Sequence, residues 1–197
     1  MKKLIAPLLA AGLVSPLAIG AQNSQDLNYN FAQGGIAFYP GFKGQDLLGI
    51  DAKGSVAINN SLFAFGGLKY LSDNVDLTAA DIGAGYHYPV MRGTDVYGGV
   101  SLEYQKRESR LVDPISLDTK ITVSDSNTNV GVRAGVRHHL SDTVEVGGEA
   151  RYVFGKLDYF GLTGSAQYFL TDQVGLVGEI DLYDGELGVI GSARYNF

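Results

Sequence analysis

Three histidines, His87, His138 and His139, are the side chains here whose ordinary titration range suits them to moving protons near neutral pH. No cysteine is present, so a thiol nucleophile, a thiolate metal site and a disulfide scaffold are all excluded. A nucleophilic serine needs a base within hydrogen-bond reach. Ser109, Ser116, Ser124 and Ser126 share the stretch from Arg107 to Asn127 with Asp113, Asp118 and Asp125, but no histidine lies among them. Those carboxylates also follow no calcium-loop spacing. The histidines fall beside short turn-forming segments, away from that stretch. The expectation is a chain with no catalytic, cofactor or metal site. Its net charge of −6 leaves no basic footprint for nucleic acid.

The chemistry that remains is electrostatic. Asp51, Lys53, Lys69, Asp81, Asp95, Glu103, Arg133, Arg137, Glu145, Glu149, Arg151, Glu179, Asp181 and Arg194 carry both signs of charge, and each occupies the polar parity of a segment that alternates polar with apolar. Alternation with period two is the signature of a strand with two unlike faces. From Val144 to Phe154 the even positions are Val, Val, Gly, Ala, Tyr and Phe, while Glu145, Glu149 and Arg151 are odd. Val130 to Leu140, Phe160 to Leu170 and Val174 to Leu182 repeat the scheme. The last strand switches parity, and a two-residue Asp184-Gly185 turn that pairs Leu182 with Leu187 accounts for the switch. Leu47–Ile58, Leu62–Leu71, Leu77–Pro89 and Thr94–Lys106 read as further strands. Leu27 to Tyr39 changes parity midway, which predicts a bulge near Gln33-Gly34-Gly35. The count is ten strands, with eight as the alternative.

Three connections share one template of apolar residue, three turn residues and apolar residue: Ile58 to Leu62, Leu140 to Val144 and Leu170 to Val174. With Met91-Arg92-Gly93 they form one set of tight turns, opposite more varied connections that include the long Arg107–Asn127 stretch. That stretch alternates as well, so it either forms a solvated loop or extends a hairpin. Short turns at one end and longer loops at the other is the layout of an outer-membrane barrel.

Alternation alone does not say which face is inside. A soluble barrel would turn the apolar face inward. Aromatic residues of the apolar parity gather at the strand ends, however: Tyr86, Tyr88, Tyr168, Tyr195 and Phe197 toward one rim, and Phe38, Tyr70, Tyr104, Tyr152, Phe154 and Phe160 toward the other. Two such girdles mark the two interfaces of a membrane. Glycine is abundant, at 27 residues, as an interior of mixed large and small side chains requires. The reading is an all-β, antiparallel, up-and-down transmembrane barrel over residues 21–197. Ahead of it, Met1-Lys2-Lys3, an apolar stretch from Leu4 to Ile19 and the small residues Ala18 and Gly20 compose a cleavable export signal over residues 1–20. No later stretch is apolar for the roughly 18 residues a membrane helix needs.

The export signal, the alternation and the ending Ala193-Arg-Tyr-Asn-Phe197 resemble the small bacterial outer-membrane porin-like barrels of the OmpA/OmpX and opacity type. Leu27-Asn-Tyr-Asn-Phe-Ala-Gln-Gly-Gly35, the Gly54–Asn60 hairpin and the Asp81–Tyr86 strand look, more narrowly, like the diffusible-signal-factor-regulated outer-membrane proteins. The resemblance implies a cell outer-membrane location, contact with membrane lipid and lipopolysaccharide, and a C-terminal aromatic signal, Tyr195 and Phe197, for the barrel-assembly machinery. It implies no active site. For the charged residues two roles stay open: a salt-bridged plug in a structural or surface-interacting barrel, or the lining of a narrow pore with a mild preference for cations.

Overall fold

A computed structural model describes residues 27–73, 75–112, 120–156 and 158–197. The export-signal segment and the middle of the Arg107–Asn127 stretch lie outside the described residues. Ten antiparallel strands run in chain order: β1 Phe31–Phe42, β2 Gln45–Ala57, β3 Leu62–Ser72, β4 Val75–Met91, β5 Thr94–Val112, β6 Lys120–Ser141, β7 Val144–Phe154, β8 Tyr159–Phe169, β9 Val174–Tyr183 and β10 Glu186–Asn196. Each pairs with its sequence neighbours, and β1 pairs with β10 to close the barrel. Ten strands, not eight, make the wall. Closure leaves no unpaired strand edge, which a lipid environment requires because it offers backbone groups no other partner.

The apolar parity faces outward. Ile82, Val100 and Ile180 expose 68%, 59% and 60% of their surface. The eleven girdle aromatics are all exposed, while Asp51, Glu103 and Asp181 are each 3% exposed. A barrel that hides its carboxylates and shows its isoleucines is built for a solvent less polar than its own interior.

Local details depart from the sequence reading in three places. No bulge interrupts β1 near Gly34, since its register with β10 and β2 is continuous from Phe31 to Phe38 and shifts only between Tyr39 and Phe42. Instead, the odd positions face inward throughout, so Tyr29 and Tyr39 are lumen residues at 3% and 0% exposure. Of the three template turns, two close as expected, with Ile58 N donating to Leu62 O and Leu170 N to Val174 O. The third closes one residue later, through Ser141 paired with Val144 and a register shift beside Leu140; Met91 paired with Thr94 does the same at the β4–β5 turn. The Arg107–Asn127 stretch is a hairpin extension, its ladder continuing to Val112 paired with Lys120. The other connections at that end are short: Lys43-Gly44 and Asp184-Gly185 are two-residue turns. Asp184 and Gly185 have φ of 53° and 84°, the left-handed pair a type I′ turn needs, and Leu182 pairs with Leu187 across it.

Inside, two apolar clusters flank the charged belt. Toward the end bearing the extended hairpin, Tyr39, Phe42, Leu47, Leu71, Leu77, Val153, Tyr159, Tyr183 and Ile190 pack together with Ala37. Toward the other, terminal end, where Phe197 meets Asn30, Leu27, Tyr29, Phe63 and Phe65 form a smaller group. Glycine makes these rings fit: a Cβ at Gly83 would come within 2.5 Å of the Phe65 ring, and one at Gly85 would strike Phe63. Large rings from one strand lie flat on bare backbone of the next, which fills a narrow interior without strain.

Candidate functional site

Parity places the fourteen charged residues of the sequence reading inside the wall, where β2, β3, β4, β5, β6, β7, β9 and β10 project them toward one another. Thirteen stand within 4 Å of an opposite charge among the fourteen, and Asp95 meets His87. They fall into linked groups.

On the β1, β2, β3 and β9 side, Lys53 Nζ lies 2.5 Å from Glu179 and 3.5 Å from Asp51, and Lys69 Nζ lies 2.6 Å from Asp181 and 3.8 Å from Asp51. Tyr39 donates to Asp181 and receives from Lys69, while Thr163 donates to the other Asp181 oxygen at 2.7 Å. Gln33 donates to Glu179 at 2.9 Å and accepts from Arg194 at the same distance. On the β4 to β7 side, Arg133 is the hub, 2.9 Å from Asp81, 3.2 Å from Glu103 and 3.8 Å from Glu149. Its guanidinium carbon sits 4.0 Å over the Phe65 ring. Arg151 reaches Glu103 at 3.9 Å, and Tyr97 donates to Glu149 at 2.9 Å. Nearer the termini, Arg137 grips Glu145 with two bonds of 2.8 and 3.1 Å, Arg194 adds a contact to Glu145 at 3.9 Å, and His87 Nδ1 meets Asp95 at 2.9 Å. Removing two charges from water is costly, and only close pairing with further hydrogen bonds offsets it. Asp181, Glu179 and Glu145 have both, whereas Asp51 Oδ1, Arg133 Nε and Arg151 Nε are buried without a hydrogen-bond partner.

Tyr195 and Phe197 lie outside, on the terminal rim, with ring centroids 6.4 Å apart. The diagonal placement of Arg133 and Arg137 across from Glu149 follows from the β6–β7 register, in which Gly135 faces Glu149. Arg137 nevertheless bonds Glu145, because its long side chain takes the bidentate geometry on offer. Of the neutral members of these groups, Ser101 and Thr163 fall on the polar parity in the sequence reading, which missed Gln33, Tyr39 and Tyr97. All five share the inward parity of the charged residues, the signal that could have found the other three.

Among the paired groups lies a cavity of 180 Å³, lined by charged and aromatic side chains from both sides of the barrel. Above the hairpin-end apolar cluster, Arg107 of β5 and Lys43 of the β1–β2 turn converge on Asp184, at 2.8 and 2.9 Å. β5 and β10 stand five strands apart in a ring of ten, so the Arg107 bond crosses the mouth. Partial burial of Asp184 opposes its ionisation, but the hydrogen bonds from Lys43 and Arg107 outweigh that and hold its carboxyl below the usual aspartate range. A lowered carboxyl stabilises the fold fully above the ordinary aspartate range, and that contribution is lost as falling pH passes the lowered value. Asp184→Asn is therefore expected to flatten part of the acid dependence of unfolding, measured as the temperature of the heat-dependent electrophoretic shift from about pH 6 to about pH 2.

Comparison with known proteins gives the following. The outer-membrane protein beta-barrel domain family matches residues 4–159. No curated protein matches the chain. Among solved structures, the KdgM porin superposes with a TM-score of 0.49 at 11% identity, over 84% of this chain and 99% of that one. The N-terminal β-barrel domain of Pseudomonas aeruginosa OprF gives 0.47 at 12% identity, over 86% and 98%. Ail, the attachment invasion locus protein of Yersinia pestis, gives 0.44 at 14% identity, over 85% and 99%.

Proposed function

The chain belongs to the outer-membrane protein beta-barrel domain family, and from that membership we propose a barrel that is closed to solute flow and serves the outer membrane as a structural and surface-interacting element. The observation that carries this reading is the pairing of thirteen of the fourteen lumen charges with one another, and of Asp95 with His87, between two apolar clusters. A conducting pore needs polar groups free to replace an ion's hydration shell. Here the carboxylates and cations already serve one another, and the hairpin-end cluster is apolar apart from its tyrosine hydroxyls, of which Tyr39's is already bonded to Asp181 and Lys69.

The part that meets the exterior is the β5–β6 hairpin. β5 and β6 are 19 and 22 residues long, against the roughly 9–11 that span a bilayer. Their extension rises beyond the girdle residue Tyr104, so this end faces outward and the tight-turn end faces the periplasm. Lipid and lipopolysaccharide would contact the girdled wall. Tyr195 and Phe197 would be read by the assembly machinery, after export on the residue 1–20 signal. No enzymatic role is assigned: His87 is committed to Asp95 and stacked on Tyr29 at 4.0 Å. A narrower kinship with the diffusible-signal-factor-regulated group rests on its three sequence motifs alone.

One observation favours a second reading. Eight carboxylates face six cationic side chains in the lumen, an acidic excess that would make any conduction cation-preferring. Planar-bilayer recording separates the two. The purified barrel is expected to insert without unitary current; stepwise openings of reproducible size that favour cations would replace the closed barrel with the porin.

A further inference from the structure

The two ends of the lumen are sealed in different ways. At the hairpin end, the apolar cluster is rooted in eight strands, so opening it means disturbing the wall. At the terminal end, the seal includes Leu27–Asn30, four residues that precede β1 and belong to no strand. Leu27 and Tyr29 are nonetheless 2% and 3% exposed.

The seat for these four residues is specific. Tyr29 stacks on His87 with centroids 4.0 Å apart and planes 17° from parallel, and its ring lies 4.7 Å from that of Phe63. The Arg137 guanidinium carbon sits 4.7 Å from the Tyr29 ring, and Arg137 Nη1 donates to the Asn28 carbonyl at 2.9 Å. Asn30 is held by both neighbouring strands: its Oδ1 accepts from Ala57 N at 2.8 Å, and its carbonyl accepts from Phe197 N at 3.1 Å. The wall thus reads an apolar side chain, a backbone carbonyl and an aromatic ring in three consecutive residues. Behind the seat is the 180 Å³ cavity, lined in part by Ser55, Phe63, Phe65 and Tyr97. The Tyr29 hydroxyl and Ser55 Oγ are both buried with no hydrogen-bond partner. Release of the arm would return both to water, so the closed state forgoes two hydrogen bonds that an open state makes.

We propose that the terminal-end mouth of the lumen is a binding seat for an extended apolar-x-aromatic peptide segment, and that Leu27–Asn30 is its tethered occupant, a displaceable plug over the cavity. This goes beyond the closed barrel, because it concerns access from one end and not passage through.

The absence of cysteine supplies the test. A single reporter, Ser55→Cys, places a thiol in the cavity behind the plug. In the folded full-length barrel it is expected to react slowly with a charged, water-soluble thiol reagent. Adding L27G and Y29G is expected to accelerate labelling by about tenfold or more, as loss of a local closure does. A synthetic peptide with the sequence of residues 25–33 should slow it again. Equal labelling of the two barrels overturns the plug, and acceleration that the peptide fails to reverse overturns the peptide seat. Folding is monitored by the heat-dependent electrophoretic shift; if the double substitution abolishes it, the single Y29S carries the same expectations. Unitary current from the unsubstituted chain would sink the closed barrel alone, and equal labelling would sink the plug alone.

Discussion

Replacing Arg133 with methionine is expected to destabilise the barrel by about 3–5 kcal/mol, the usual cost of breaking a buried ion pair from one side. Arg133 is 12% exposed and stands within 4 Å of three carboxylates, Asp81, Glu103 and Glu149. Methionine keeps much of the aliphatic stem and its contact with Phe65 but removes the charge, so what is lost is electrostatic rather than volume. Glu103 would retain Arg151 at 3.9 Å and the Ser101 hydroxyl at 2.6 Å, and Glu149 would retain Tyr97. Among the described ion pairs Asp81 has no other cation. The measurement is the urea midpoint in detergent micelles, followed by loss of β-sheet circular dichroism. Adding Asp81→Asn and Glu103→Gln to R133M should recover part of the loss, since the penalty arises from stranded carboxylates. A midpoint unchanged by R133M would mean that water already screens these groups, and with it the closed, charge-paired lumen would fall.

The second large effect concerns the other face. Val100 is 59% exposed and lies on β5 four residues from the girdle aromatic Tyr104, near the middle of the wall. On a water-facing surface, Val100→Arg would matter little. In a bilayer, an arginine on the lipid face at mid-depth costs about 2–4 kcal/mol. The chain is expected to fold into phospholipid vesicles with V100R destabilised by that amount. The same substitution at Val90, which is 46% exposed near the β4–β5 turn, should cost far less. Equal cost at the two depths would contradict the girdle assignment, because depth dependence is what distinguishes hydrocarbon from water.

Much of the architecture was legible in the residues because a strand's side chains alternate strictly. Once Glu145, Glu149 and Arg151 are seen to share a parity, every neighbour's face follows, and one slip would expose the whole charged set to lipid. The Asp184-Gly185 turn was legible for a similar reason, since two left-handed residues leave one pairing. The inward aromatics were not. Tyr29, Phe63 and Phe65 at the terminal end and Tyr39 at the hairpin end occupy the inward parity, although their residue types are those of the outward girdles. Their fit depends on glycines in other strands, Gly83 and Gly85 among them, that come beside them only when the sheet is paired. The bulges beside Leu140 and Val90 were hidden as well, because a template of three turn residues suits a simple turn and a bulged one equally.

By itself, then, the sequence determined that the chain makes about ten alternating strands with a charged face and an apolar one, and that the charged face is the interior. That is a matter of local period and of where aromatics stand along each strand. Which carboxylate meets which cation, and that a four-residue arm and a ring cluster close the two ends, were decided by the tertiary structure. Those contacts reach between elements that are not neighbours in the ring, as Lys69 of β3 joins Asp181 of β9 and Arg107 of β5 joins Asp184 of the β9–β10 turn, and their distances depend on the barrel's strand number and stagger.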